Sequence, residues 1–496
     1  MALSKKSILT TALAVTLAMA VVLGGGTYAY LQSSTGDTVN TFNTNQVTVS
    51  LEETTGSEYE IIPGTSQDKD PTVKVLNTVD AYVYVEVTDT TDGLVDYTIA
   101  DSWIKLGGFE NIYYREVAAG AAVKEFDVLE GNSVSYGAEL ENSNMLDANG
   151  ALREGLSLTF NAYAVQKSPF NDPIKAYYQS DTTADTADTL SEAISNAENS
   201  TETTIIVSKD IETSGAPIVI PDGKNITLAL AGNTVTGTAS ETAVIVAENA
   251  VLNISDGTII APSGKAGIEN DGTAVLDNIK VLRTDGGASA KSSVTNDYYV
   301  LVNHGTMTLN DGVYIEAPHS GTSLVENGYV DGSAQTAPVK LVINGGSYIG
   351  GLNPVKNDDW GVLEINGGYF ECRAEKQFCV VNYNELTING GTFVSDYRVV
   401  WNGSLNDTYD KGQVTVTGGD FTAKQAYMFW NKLNENLGNE VTTTDKGFMT
   451  FSGGTFKSRN ANESSMFAGP NAWKYVDGFK LVKNSDGSCS VVSKEI

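Results

Sequence analysis

One element recurs along the second half of this chain and limits what it can fold into. LTINGGTFVS begins at Leu386, and near-copies begin at Leu341 (LVINGGSYIG), Leu363 (LEINGGYFEC), Val414 (VTVTGGDFTA) and Met449 (MTFSGGTFKS). Related elements start at Leu252 and Met307, and a weaker one at Ala274. The steps from Leu252 to Ala274 and from Leu341 to Leu363 are 22 residues, and the step from Leu363 to Leu386 is 23. The longer steps read as the same unit carrying insertions. A repeat of this size, rich in alternating β-formers, predicts the coil of a right-handed parallel β-helix, because a single coil cannot bury its own apolar face.

Aligning the copies predicts which positions face inward. Leu386 and Ile388 form one inward pair, matched by Leu341/Ile343, Leu363/Ile365 and Val414/Val416. Tyr314, Tyr348, Phe370, Phe393, Phe421 and Phe456 form an expected aromatic column. Asn310, Asn344, Asn366 and Asn389, continued by Thr417 and Ser452, form an expected polar ladder from coil to coil. The Gly-Gly or Asp-Gly that follows suits a corner needing positive φ. A catalytic constellation is distinctive, whereas this element returns in coil after coil, so it reads as architecture. Eight to eleven coils stacked at strand spacing would make a rod of roughly 40–55 Å.

An exposed first coil would need a plug. Leu190, Ala193, Ile194 and Ala197 fall at helical spacing after Asp188 and Thr189, either of which can cap a short helix. At the far end, Asp486-Gly487 between two short apolar runs predicts a hairpin cap. Residues 167–188, with two prolines and a Thr/Asp-rich run, read as a linker. The β-helix is therefore expected over 189–496. Before it, residues 30–166 carry short alternating strands such as VTVSLEE from Val47 and AYVYVEVT from Ala81, the pattern of a half-buried sheet in a jelly-roll-like β-sandwich. The fold class expected is all-β.

The first 29 residues read as an export signal: Lys5 and Lys6, an apolar run over 8–23, then small residues ahead of a cut between Ala29 and Tyr30. The run is short for a membrane span, so stable membrane insertion is not expected. The chain of 496 residues holds 61 acidic against 31 basic side chains, a formal charge of -30. That balance argues against nucleic acid and anionic membranes as partners. Cys372 and Cys379 read equally as a local disulfide or as buried thiols, with Cys489 left over. With two histidines, no CxxC and no HExxH, a zinc site is not expected.

The segment GGGTYAYLQSSTGDTVNTFNTNQVTVSLEE (24–53), with IIPGTSQDKDPTVKV (61–75), AYVYVEV (81–87) and IYYREV (112–117), resembles the TasA/camelysin proteins, which leave Gram-positive cells through a SipW-type signal peptidase. The resemblance covers residues 1–166 and implies a jelly-roll-like sandwich assembled into cell-surface or biofilm fibres. It also implies an N-terminal strand able to enter a neighbouring subunit; Phe42, Val47, Val49 and Leu51 are the residues expected to carry it, although the same strand could complete its own sheet. Metallopeptidase activity, catalogued for camelysin-like proteins, finds no histidine in this region to hold zinc. Asp68 and Asp70 would suit calcium better, though DKDP also reads as a solvated turn. The C-terminal region resembles pectate-lyase-like β-helices in repeat pattern alone.

Functional expectations follow from what the rod could display. Trp360, Tyr397, Trp401 and Trp430 fall in or beside insertions of the later coils, where exposed rings can stack on sugars or pack back as a satellite core. Asp358-Asp359 is the best carboxylate pair for polysaccharide cleavage, but a loop pair is expected to be solvated, and Arg373 and Arg398 have no spaced Asp set beside them. The expectation is a secreted, non-enzymatic surface or biofilm-matrix protein that associates with itself, with other matrix proteins or with glycans. No cofactor is expected, calcium being the one candidate. A soluble glycan-binding protein is the alternative, and a polysaccharide-degrading enzyme the third reading.

Overall fold

The computed structural model describes residues 32–34 and 46–494, apart from 147–151, 154, 214, 239–240, 285–298, 318–322, 330–336, 404–411, 426, 432–448, 459–466 and 469–472. The signal, the Ala29/Tyr30 cut and Phe42 lie outside the described residues. The chain is all-β, with two packed antiparallel sheets and a small two-stranded one, Ser66–Asp68 with Ser133–Ser135, in its N-terminal part, followed by a long parallel β-helix.

In the first part, Leu158–Gln166, Ala81–Asp89, Ile112–Val117 and Ile104–Lys105 form one antiparallel sheet, with Gln32–Ser34 at its edge. Val47–Glu52, Thr72–Asn77 and Glu125–Asp127 form the facing sheet. Val47 and Val49 are buried in this domain's own core, and their strand pairs antiparallel with Thr72–Asn77. Ala81, Val83, Val85 and Val87 face that core. The other face of their strand was expected to meet solvent, yet Tyr82 and Tyr84 on it are just as buried.

What covers them is the segment expected to be a linker. Pro173–Tyr178 is a helix; the Asp172 carboxylate caps it by accepting from the amides of Ile174 and Lys175 at 2.8 and 2.9 Å. Tyr84 donates its hydroxyl to the Pro173 carbonyl at 2.7 Å, and Tyr177 packs on Phe109 at 4.9 Å. On the other side, Ile174 and Tyr178 pack on Ile206, Ala229 and Ala231 of the β-helix, and Tyr178 donates to Asp256 at 2.7 Å. The connection thus joins the two parts through an apolar contact. Gly108 and Gly232 meet there so closely that a Cβ on either would fall 2.2 Å from backbone of the opposite part.

The β-helix has three strand lines per coil. The first two lines make one continuous sheet, and the third makes a separate 10-stranded parallel sheet. Leu252, Ala274, Met307, Leu341, Leu363, Leu386, Val414 and Met449 stand in one column. Beside it runs a ring stack: Tyr348, Phe370, Phe393, Phe421 and Phe456, with centroids 4.6–5.1 Å apart. Tyr314 is not in that column. Ile315 pairs with Tyr348, while Tyr314 pairs with Ser347 and donates its hydroxyl to Glu316. The corner before it is one residue longer, because Val313 turns inward and is buried there.

The Gly-Gly corner needs its two glycines for different reasons. The first lies against the coil below: a Cβ on Gly367, Gly390 or Gly418 would sit 2.3–2.5 Å from the carbonyl oxygen of Asn344, Asn366 or Asn389. The second adopts φ near +100° at Gly368, Gly391, Gly419 and Gly454. Between strand and glycines, the Asn344, Asn366 and Asn389 side-chain amides donate to Asn310, Asn344 and Asn366 at 2.8–3.1 Å, and Thr417 continues the row.

A second asparagine ladder, not anticipated from the sequence, runs inside the third sheet. Asn270, Asn303, Asn327, Asn357, Asn382 and Asn402 are all fully buried. Each of the first five donates to the next at 2.7–2.8 Å. Each also donates to a backbone carbonyl of the following coil, as Asn357 does to Glu385 at 3.0 Å.

Both ends of the stack are covered. Ala187–Asn196 is a helix that seats Leu190 and Ile194 on the first coil; its cap is Thr186, in a reciprocal box with Thr189, rather than Asp188 or Thr189. Phe479–Lys483 and Cys489–Ser493 form the terminal hairpin, in which Cys489 pairs with Phe456. The three cysteines are free and buried.

The two ladders should differ in energetic weight. Asn357→Leu strands the amide partners of neighbouring coils and should cost about 2–4 kcal/mol, by the usual penalty for unsatisfied buried groups. Asn389→Ala, on the exposed ladder, should cost less than about 1 kcal/mol. Urea midpoints of the two variants would compare them; equal losses would contradict this assignment.

Candidate functional site

The outward face of the third sheet carries an unusual row. Along one register line stand Glu269, Val302, Glu326, Lys356, Val381, Trp401 and Trp430. They point away from the coil interior because each precedes a buried Asn or lies between two inward residues on a pleated strand. Most outward residues of a β-helix meet water, but Val302 and Glu326 are buried here, at 0% and 3% exposure.

Around Lys356 this face opens as a groove of about 340 Å³. Tyr299, Asn353, Phe378, Tyr383 and Trp401 line it with the lysine. They come from four coils and are brought together only by strand pairing. The Trp401 indole stands edge-on to Tyr383 at 4.8 Å. It also lies across Gly403, where a Cβ would come within 2.1 Å of the ring, so the glycine sets the height of the indole.

Lys356 holds the charges of the groove together. Its ammonium is 2.7 Å from the Asp358 carboxylate and donates to the Tyr299 hydroxyl at 3.1 Å. The rings of Tyr299 and Tyr383 flank it, each 5.7 Å away. Burial works against the lysine's charge, but Asp358 and Tyr299 outweigh it and hold the ammonium protonated above its ordinary range. Burial foremost, then the Asp358 charge, pushes the Glu326 carboxyl up to about 9, so it is neutral at physiological pH. Burial also raises the Tyr299 phenol, with Glu326 adding to the effect.

Several expected residues take different positions. Asp358 and Asp359, expected to be solvated, are both fully buried, Asp358 beside Lys356 and Asp359 in a bridge to Tyr329 of the preceding coil. Trp360 sits at the following corner with φ +64° and does not line the groove. Tyr397 and Trp430 flank Arg398, whose guanidinium lies 4.7 and 4.1 Å from their ring centres. Arg373 is paired with Glu371 at 2.6 Å. In the first domain, the Asp70 carboxylate is enclosed by its own chain, accepting from the amides of Thr54 and Thr55 at 2.8 and 3.0 Å and from both hydroxyls. These bonds, led by the Thr54 hydroxyl, hold its pKa well below the usual carboxylate range. Asp68 is exposed on Ser66–Asp68. Among the described residues no group of three or more His, Cys, Asp or Glu is arranged to hold a metal.

Tyr299, Lys356 and Tyr383 were missed at the level of sequence. A lone lysine between valine and asparagine carries no signal until its neighbours in the next coils are known. Comparisons with protein-family models, curated proteins and solved structures find no match to this chain.

The neutral state of Glu326 gives a signed pH dependence. Its folded pKa is raised above the unfolded value near 4.3, so its contribution is complete below that value and is lost as pH rises towards about 9. Glu326→Gln should match the wild type at pH 4 and gain several degrees on it between pH 5 and 9, by the same linkage. Paired thermal melts across that range check this; a gap that opens in the opposite direction would rule it out.

Proposed function

We propose that this protein is an exported surface or matrix component whose β-helix binds a glycan in the groove around Lys356. The observation that carries this reading is the set of aromatic rings fixed around hydrogen-bonding groups on a long, pre-formed sheet face. Trp401 and Tyr383 offer apolar ring faces and edges, while Asn353, Gln377 and Ser323 offer amides and a hydroxyl. Rigid sites of this kind lose little entropy on binding.

Binding is favoured over cleavage by what the groove wall contains. Its described lining has no carboxylate; Glu326 and Asp358 lie beneath the lining and are almost wholly buried. Lys356 is held protonated and so is a poor base. Export and a surface or matrix location are supported by the signal-like first 29 residues and by the TasA/camelysin resemblance. The welded helix at 173–178 supports a role for the sandwich as a rigid base for the β-helix.

Fibre assembly is a second reading, favoured by one feature of the first sheet. Gln32–Ser34 pairs only with Tyr163, Ala164 and Val165 of the nine-residue strand Leu158–Gln166. Among the described residues, the same edge of Leu158–Ala162 has no strand partner. Since Val47, Val49 and Leu51 belong to a strand paired within their own domain, an exchanged strand in this reading would come from the residues before Gln46.

Two measurements test these readings. In calorimetric titrations with a panel of soluble oligosaccharides, Trp401→Ala should weaken binding about tenfold or more, roughly the 1.4 kcal/mol of one stacked ring. Its melting should remain cooperative; unchanged affinity would remove the groove from the proposal. For assembly, sedimentation of residues 30–496 should show concentration-dependent large species that vanish when the chain starts at Gln46, whereas persistence of those species would discard strand exchange.

A further inference from the structure

We infer that the groove selects uncharged glycans and discriminates against those bearing carboxylates or sulfates; this rests on the glycan-binding reading above. Acidic sugars would be the first guess for a site containing a lysine. The geometry argues otherwise, because Lys356 already has its counterion.

Among the described residues that line the groove, Lys356 alone is formally charged. Asp358 sits 2.7 Å from its ammonium and is 0% exposed, so water cannot compensate that carboxylate if the lysine is drawn away. An anion entering the groove must either share Lys356 with Asp358 or leave a buried carboxylate unpaired, and both are unfavourable. With Glu326 neutral, the charges of Lys356 and Asp358 sum to zero. Arg398, a second cation of this face, is outside the lining and stacked on Tyr397 and Trp430.

The rest of the molecule acts in the same direction. A formal charge of -30 repels a polyanion as it approaches. Screening over about 8 Å at physiological ionic strength weakens that field but does not reverse its sign.

What the groove offers suits hydroxyl groups. Among the described residues, Asp358 and Tyr299 take two of the three Lys356 N–H directions, and the third is open to donate. Asn353 is braced by donating to the Phe378 carbonyl at 2.9 Å and accepting from Ser323 at 3.3 Å. Braced amides and a single ammonium proton match neutral donors and acceptors arranged around a ring. Specificity of this kind works by excluding the charged competitor.

The test compares ligands that differ only in charge. Oligosaccharides from several uronans would be titrated calorimetrically into the full chain, each beside its carboxyl-reduced counterpart, at low and at high salt. The expected result is that at least one reduced, neutral form binds about tenfold or more tightly than its parent, about 1.4 kcal/mol by the usual conversion. Its affinity should change less than about twofold with salt, as for a contact without net charge. An equal or tighter parent uronan, with affinity falling as salt rises, overturns the charge preference and leaves the groove a glycan site. Binding of no member of any pair overturns the glycan reading itself, and this inference with it. Trp401→Ala serves as the control that locates any binding in the groove without disturbing the Lys356–Asp358 pair.

Discussion

The β-helix depends on each coil meeting the next in register, with the inward amides of one coil paired to the next; in the buried row only the first acceptor, Asn270 Oδ1, has no partner among the described residues. Backbone pairing between parallel strands meets this need along the flat faces, at a spacing of about 4.8 Å. At the corners the chain turns and the backbone can no longer pair alone. The buried row from Asn270 to Asn402 solves the problem at the end of the third strand, because each amide donates to the next asparagine and to a carbonyl of the following coil. An asparagine can both donate and accept, so one residue type repeated in line satisfies itself. A leucine of similar size could not.

That constraint also explains where variation is allowed. Strand lines and asparagine corners must keep their register, so added residues emerge between them. Tyr299 and Ser323 come from such intervening segments and close over the outward side of the third sheet. Once covered, that face had to accommodate charges at Glu326, Lys356 and Asp358 away from water. The structure does so by pairing Lys356 with Asp358 and keeping Glu326 protonated. A groove with fixed rings and balanced charge is the outcome.

The legible part of the fold was the part set by local chemistry. Gly367 and Gly368 are required by close approach and positive φ within a few residues, so their spacing is visible in the sequence and fixes the coil. The exposed row at Asn344, Asn366 and Asn389 precedes those glycines at constant distance. Tyr314 shows the limit: its spacing from Asn310 equals that of Tyr348 from Asn344, yet Val313 lengthens the corner and turns Tyr314 outward. The buried asparagines end short segments such as LVN, VEN, VKN and VWN, but variable insertions separate them, so no period reveals them. Lys356 and its partners were illegible for a stronger reason, since Tyr299, Asp358 and Trp401 converge only after five successive coils have paired. Polarity misled as well at residues 167–188, where a Thr/Asp-rich segment read as a linker holds the helix Pro173–Tyr178 between two apolar surfaces.

That helix bears on how a display module could work. A flexible tether would leave the β-helix free to sample many orientations, and binding would then cost additional order. Here Tyr84 and Phe109 hold one side of the helix while Ile206 and Ala231 hold the other, and the approach of Gly108 to Gly232 leaves no room for a side chain between them. Orientation of the β-helix is thus set by the same kind of apolar packing that stabilises each part. A surface repelled from its copies by a charge of -30 needs such a fixed junction if the face bearing Trp401 is to be presented consistently rather than by chance contact. In the proposed display role, close packing at the junction and charge balance in the groove would serve one end, since both would remove freedom before a ligand arrives.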